Sequence, residues 1–254
     1  MPEHRTEFAL VTGGAKRLGR AIALELARDG WNIALHYRHS REDAQATAQA
    51  IEAEGVRCVL VHGDLEDDKQ VQAAFAQACE AGPVRCVVNN ASLFEFDSAQ
   101  GFNIALFQRH MASNLAAPVR LAQLLHAQVP EGEQGVVVNL LDQKLHNLNP
   151  DFLSYTLSKA GLQTATTLLA MELAPKVRVT GVAPGLTLIS HLQTENQFEQ
   201  THQISPLGKS SDPQDIARAV VFLVNSPAIT GTALVVDGGQ HLVPMARDFS
   251  MMNP

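Results

Sequence analysis

Cysteine is scarce: the 254 residues hold only Cys58, Cys79 and Cys86, and their spacing matches no metal-binding pattern. Two of them lie in apolar runs, which reads as reduced, buried thiols in a reducing compartment. The ten histidines form no HxxxH pair, so no metal site is expected. An excess of basic charge is lacking too. The formal net charge of −7 offers no field for nucleic acid or anionic lipid, so an anionic ligand must be held by local groups. No apolar run reaches transmembrane length and nothing at the N-terminus resembles a signal peptide, which points to a cytoplasmic protein with neither membrane nor nucleic-acid partners. Repeats, low-complexity segments and linkers are also missing. With 46% hydrophobic and 18% charged residues, the chain reads as one α/β domain over residues 1–254.

What is present alternates strands with helices. Phe8 to Thr12 is an apolar strand, Gly13 to Gly19 a glycine-rich turn, and Arg20 to Asp29 a helix stopped by Gly30. Strand, glycine turn and helix in that order suit a dinucleotide, whose pyrophosphate meets free N–H groups and the positive helix end. The glycines do not fit the GxGxxG form. The second strand, Asn32 to His36, runs into Tyr37, Arg38, His39 and Ser40, where an NAD site would place a carboxylate. Together with Arg17 this basic, hydroxylic group would cradle a 2′-phosphate, which selects NADP(H). The alternative is that Arg38 and His39 merely solvate a turn.

Further strands are expected at Arg57–His62, Arg85–Ser92, Val136–Leu140, Lys176–Val182 and Leu234–Gly239, giving a Rossmann-like, doubly wound parallel sheet of about seven strands. Helices are expected over Glu42–Glu54, Asp67–Glu80, Asn103–Gln128 and Pro213–Asn225, the last capped by Ser211 or Asp212. Pro118 frees the carbonyl of Asn114 within the long helix, a natural anchor for a water. Residues 186–211 form a long polar connection, read as a substrate lid. Phe94 and Phe96 lie in the loop after the fourth strand, placed either to stack on a flat substrate or to pack under the loop.

The stretch from Asp142 to Lys159 carries the chemistry. Asn149 and Pro150 suit a helix start, which would set Tyr155 and Lys159 one turn apart on one face. An ammonium there favours the phenolate and lowers the tyrosine pKa. A surface Tyr–Lys pair would read the same in isolation. Asp142 sits at the C-terminal end of a buried strand, the edge where open α/β sheets bind ligands.

Jointly, Thr12-Gly13, Asn89-Asn90-Ala91, Asn114, Tyr155-x-x-x-Lys159, Pro184-Gly185 and Asp237-Gly-Gly resemble a short-chain dehydrogenase/reductase over nearly the whole chain. Two departures, Arg17 in place of a turn glycine and Asp142 in place of the usual serine, are similar to the pteridine reductases and bacterial dihydromonapterin reductases. The resemblance implies that Gly13, Arg17, Leu18, Gly19, Tyr37, Arg38, His39, Ser40, Asp64, Leu65, Asn90, Ala91, Tyr155, Lys159, Pro184 and Gly185 hold NADP(H). It implies a substrate site of Ser92, Phe94, Asp142 and Tyr155, and a catalytic set of Asp142, Tyr155, Lys159 and Asn114. The implied activity is reduction of a dihydropterin, such as dihydrobiopterin or dihydromonapterin, with dihydrofolate a further candidate. A carbonyl or 3-oxoacyl reductase is the alternative enzyme, and an NADP(H) sensor the non-catalytic one. Small residues on the two long helices (Ala112, Ala116, Ala117, Ala160, Ala165 and Ala170), paired as in this family, imply a homotetramer or at least a dimer.

Overall fold

Runs of β-branched and aliphatic residues build the sheet of this computed structural model, which describes residues 5–189 and 195–251. The strands among them are β1 Phe8–Val11, β2 Asn32–Tyr37, β3 Cys58–His62, β4 Val84–Asn89, β5 Gly135–Leu140, β6 Val177–Pro184 and β7 Ala233–Val236. All pair in parallel, in the order β3-β2-β1-β4-β5-β6-β7. Consecutive residues point to opposite faces. Ala9 and Val11 thus join one core, with Ile22, Leu26, Ile216 and Val220, whereas Phe8 and Leu10 join the other, with Val71, Phe75, Leu121 and Leu125. Both faces are covered, which is why the central strands are apolar at nearly every position.

The first face is covered by α1 Arg17–Arg28, α2 Arg41–Glu52 and α8 Pro213–Val224. The second is covered by α3 Asp68–Ala81, a composite helix over residues 104–128, and α6 Leu153–Glu172. The chain leaves β1 in one direction and returns at β4 in the other, so a crevice opens between their C-terminal ends. All three cysteines are free thiols, and burial pushes those of Cys58 and Cys86 up to about 12, outside the reactive range.

Several expected boundaries move, among them α1, which starts at Arg17 rather than Arg20, and β4, which ends at Asn89 rather than Ser92; three others have a plain physical reason. The long helix is not continuous: α4 Ile104–Met111 opens into a π turn, Ala112–Ala116, before α5 Ala117–Gln128 resumes. Pro118 cannot donate to the carbonyl four residues back and crowds it, so the ladder widens by one residue around Asn114. Helix α6 starts at Leu153 rather than Pro150, because Phe152 takes a left-handed turn (φ 56°) and Asp97 from a distant loop supplies the cap. Asn149 instead accepts from the Lys144 ammonium at 2.6 Å. Strand β7 stops before Gly238 and Gly239, whose φ values of 64° and 83° leave the extended region. Asp212, not Ser211, caps α8, through a capping box with Asp215. The expected lid contains a short helix, α7 Glu195–His202; its residues 190–194 lie outside the described residues.

His36 fixes the glycine turn to the sheet. Its Nδ1 accepts from the Gly13 amide at 3.1 Å while Nε2 lies 3.1 Å from the Gly63 carbonyl, an arrangement that needs the neutral ring with its proton on Nε2. Burial holds its pKa down to about 4. The folded value lies below the ordinary 6.5, so the stability that His36 contributes is complete above pH 6.5 and is lost as pH falls toward 4. The full loss amounts to about 3 kcal/mol. Urea midpoints measured from pH 7 to pH 4 should fall over that window, and His36→Gln should flatten the slope whatever it does to stability at pH 7. An equally steep variant would assign the acid limb to another group.

Candidate active site

The crevice between β1 and β4 continues into a cleft of about 300 Å³ at the C-terminal ends of the central strands. Thr12, at the end of β1, accepts the amides of Asn90 and Ala91 on its hydroxyl, both at 3.0 Å. The Asn90 side chain donates to the carbonyls of Thr12 and Gly13, at 2.8 and 3.2 Å. These bonds lock the loop after β4 onto the glycine turn. Gly13 has φ 61°, and a Cβ at Gly19 would lie 2.2 Å from the Gly13 oxygen, so the turn closes only with glycine at both positions. Lys16 precedes α1 without a side-chain cap, leaving the first helix N–H groups to whatever occupies the crevice.

The basic group at the end of β2 is drawn into an ion-pair chain. Arg38 contacts Asp64 at 2.7 Å and Glu66 at 3.0 Å; Glu66 also takes Arg109, which reaches Glu95. The two guanidiniums hold the Glu66 carboxyl below the usual carboxylate range. His39 is exposed, Ser40 leads into α2 without making a cap, and Tyr37 packs against His62. Arg17 is not part of this group. Its φ of 52° turns it into the cleft beside Asp142 and Tyr155, where Nη2 donates to the Ile189 carbonyl at 2.7 Å. Arg17 thus lines the cleft while Arg38 is engaged by Asp64 and Glu66, and among the described residues no contact joins the two arginines of the cradle read from the sequence. Leu65 packs its side chain into the core beside Val71 and Phe75 and leaves only backbone for the edge.

Asp142, Tyr155 and Lys159 converge as expected, with a different electrostatic balance. The Tyr155 hydroxyl donates to Asp142 Oδ2 at 2.6 Å, and Oδ1 accepts the Lys144 amide at 2.8 Å. Burial raises the Asp142 carboxyl above its ordinary value against the pull of those hydrogen bonds, and Asp248 adds to the rise. Tyr155 is pushed well above 10, first by burial and then by the negative charge on Asp142. The expected lowering of the phenol by Lys159 is thus overturned. The ammonium lies 5.8 Å from the ring centroid, donates instead to the Leu140 carbonyl at 2.6 Å, and is itself pushed down to about 8 by burial.

Asn114 acts through its side chain, which sequence reasoning missed. Within the π turn it accepts the Leu93 amide at 2.8 Å and donates to the Leu93 carbonyl at 2.9 Å and to Ser158 at 3.0 Å. It therefore ties the loop carrying Ser92 and Phe94 to helix α6. Phe94 lines the cleft and also packs: it stacks on Phe152 at 4.3 Å and meets Tyr155 edge-on at 4.8 Å. The packing reading of that aromatic holds, and its ring also borders the cleft. Ser92, Asn90, Leu18, Pro184 and Gly185 line the same cleft. So do Gln143, Gln240 and, from the C-terminal segment, Asp248, Phe249 and Ser250, none of which the sequence had marked.

With the geometry in place, relatives can be compared. A family model described as Enoyl-(Acyl carrier protein) reductase matches residues 13–241. The chain belongs to the short-chain dehydrogenase/reductase family. The 3-oxoacyl-(acyl-carrier-protein) reductase FabG of Staphylococcus aureus is 31% identical over 244 residues, covering 93% of this chain and 99% of that protein. The FolM alternative dihydrofolate reductase 1 from Brucella canis, solved in complex with NADP, matches with a TM-score of 0.88 at 40% identity, over 94% of this chain and 97% of that one. The angucycline C-6 ketoreductase LanV, with bound NADP, matches at 0.86 and 29% identity, over 94% and 97%. This short-chain dehydrogenase/reductase is accordingly an oxidoreductase, built on its family's fold.

The start of α6 fixes where Tyr155 stands. Asp97, nearly inaccessible to solvent, accepts the Ser154 amide at 2.9 Å and the Ser154 hydroxyl, and its own carbonyl takes the Leu153 amide. Asp97→Ala should cost about 1–2 kcal/mol, the usual penalty for a lost N-cap. The urea midpoint checks this, and an unmoved midpoint would show that α6 does not depend on the cap.

Proposed function

We propose that the chain is an NADPH-dependent pteridine reductase, reducing a dihydropterin of the dihydrobiopterin or dihydromonapterin kind to its tetrahydro form. The observation that carries this reading is the 2.6 Å hydrogen bond from Tyr155 to a half-buried Asp142 with raised proton affinity. A ketone reduced at this place develops an alkoxide, which a carboxylate would repel. A ring nitrogen instead needs a proton, which a carboxyl with raised affinity can hold and give up. The Brucella canis FolM alternative dihydrofolate reductase, at 40% identity, supports the same reading. A 3-oxoacyl reductase is the second reading, favoured by the Staphylococcus aureus FabG that spans 93% of this chain.

The residues present fit NADP(H). The uncapped start of α1 and the closed glycine turn suit a pyrophosphate. Arg38, His39 and Ser40 would hold the 2′-phosphate, Asp64 and the Leu65 backbone would border the adenine, and Asn90, Ala91, Lys159, Pro184 and Gly185 would flank the nicotinamide half. Bound NADPH supplies the hydride. Tyr155 and Asp142 hold a proton between Oη and Oδ2, and its transfer to the ring nitrogen balances hydride arriving at the neighbouring carbon. Lys159, charged below about pH 8, keeps positive potential beneath the pair. Phe94 walls the cleft with a ring already oriented by Phe152.

We also infer a homotetramer from family membership. Ala117 and Ala170 are spent in the subunit's own core, but Ala116, Ala160, Leu168 and Met171 remain exposed. Light scattering at micromolar concentration should show a tetramer, and a monomer would refute the assembly.

NADPH oxidation followed with dihydropterins, dihydrofolate and a ketone panel tests the substrate. Turnover of a ketone with none of a dihydropterin would select the second reading. Asp142→Asn should lower dihydropterin turnover by about 10²–10⁴-fold, the usual contribution of an acid–base group, with NADPH affinity nearly intact. Because the Asp142 carboxyl is raised, the wild-type rate should fall with rising pH as it gives up its proton, and that limb should be altered in the variant. Each charged hydrogen bond to a phosphate is worth roughly 1.5–3 kcal/mol, so Arg38→Ala should weaken NADPH about tenfold or more and leave NADH almost unchanged. Equal losses for both cofactors would remove Arg38 from the 2′-phosphate site.

A further inference from the structure

After β7 the chain does not run off the sheet edge. It turns back through Gly238 and Gly239 and lays residues 243–250 along the segment that joins β5 to α6. Asn147 donates to the Val243 carbonyl at 2.5 Å. Arg247 grips the buried Asp151 through two nitrogens, at 2.8 Å each, and the Asp248 amide donates to the same carboxylate at 2.8 Å. Lys144, only 3% exposed, reaches Asp248 at 2.9 Å with its ammonium over the Phe152 ring. Asp248 in turn accepts the amide and hydroxyl of Ser250, at 3.1 and 2.7 Å. The outcome is that Phe249 is carried into the cleft that holds Asp142, Tyr155 and Phe94.

A lysine at position 144 is costly as packing. An ammonium buried beside the Phe152 ring, with Asp248 and Asn149 as its partners, loses its hydration, and an apolar side chain of similar length would fill the space at no such cost. A buried ion pair is best accounted for when it fixes a register, and here the register is that of the C-terminal segment over the cleft. We propose that residues 243–250 are a strap that completes the substrate pocket, with Phe249 the side chain that touches substrate and Lys144 the positioning residue that holds it there. This rests on the pteridine reductase reading, and under it the flat ring of a dihydropterin lies against Phe249 on the side that the strap closes. The strap belongs to the same chain as the Tyr155 it faces.

Lys144→Met and Phe249→Ala, made in the full chain, test the strap. Loss of one aromatic contact, or of the anchor that aims it, should raise KM for dihydropterin about tenfold. The turnover number should change far less, and the NADPH dissociation constant, read by quenching of bound-cofactor fluorescence, should stay at the wild-type value. Lys144→Arg should restore most of the lost KM, because its cation still reaches Asp248. A variant that merely loosens the fold would weaken NADPH and lower turnover together, and that pattern in both variants would overturn the proposal. Phe249→Ala removes no buried charge, so it reports even if Lys144→Met does not fold. Wild-type KM in Phe249→Ala sinks the strap while leaving the reductase reading intact. A wild-type protein that does not reduce dihydropterins sinks the reductase reading, and the strap's assigned substrate with it.

Discussion

A short hydrogen bond between a buried phenol and a half-buried carboxylate is the constraint around which the rest of the molecule is arranged. The hydrogen bond from Tyr155 to Asp142 is strong because the surrounding medium is poor at solvating either group, and the same medium makes the charge on Asp142 expensive. Lys159 shares this burial, with its ammonium fixed on the end of β5 through the Leu140 carbonyl. None of the three can move independently. Asp142 belongs to the strand end and the turn behind it, Tyr155 and Lys159 belong to α6, and α6 is set by Asp97 at its first turn.

A second layer of polar bonds keeps strand ends and helices in register. Asn89 donates to Asn139 across β4 and β5, and Asn139 donates to Thr166 on α6, all within the core. Each of the three side chains has a partner there, although the Asn89 Oδ1 itself accepts no hydrogen bond among the described residues, and the network ties α6 to the two strands whose ends open the cleft. Thr12, Asn90 and His36 do the same for the glycine turn. The ligand-facing edge is thus braced from behind at each place where backbone must stay in position for chemistry.

The sheet was legible in the sequence because its strands are buried on both faces and read as apolar runs; observed ends differ from expected ones by a few residues. The meeting of Tyr155 and Lys159 was legible through spacing, since four residues on a helix fix a shared face, and that of Asp142 through its place at a strand's C-terminal end. What spacing could not convey was the dielectric environment. Lys159 beside Tyr155 suggests a lowered phenol, but only the packed structure shows that burial and Asp142 outweigh it. Caps supplied from afar were equally invisible: Asp97 lies 57 residues before Ser154, and Asn149-Pro150 looks locally like the better start. The same holds for Arg17, whose left-handed backbone no local sequence pattern announces. The C-terminal segment offered one signal, an Arg247-Asp248 pair in an otherwise uncharged tail, whose acidic and basic partners sit about a hundred residues away.

The π turn at Ala112–Ala116 has a consequence for how this chain can vary. One added residue in a helical circuit shifts everything beyond it by about 100° of phase. The faces of α4 and α5 stay in phase with their separate neighbours because the turn between them widens to absorb its extra member. Forcing the same number of residues into an ordinary ladder would swing one helix's apolar stripe away from its contacts, whereas deleting one residue would leave both stripes in place. The widened turn is thus spent on presenting Asn114 to the Leu93 backbone rather than on the packing of either helix.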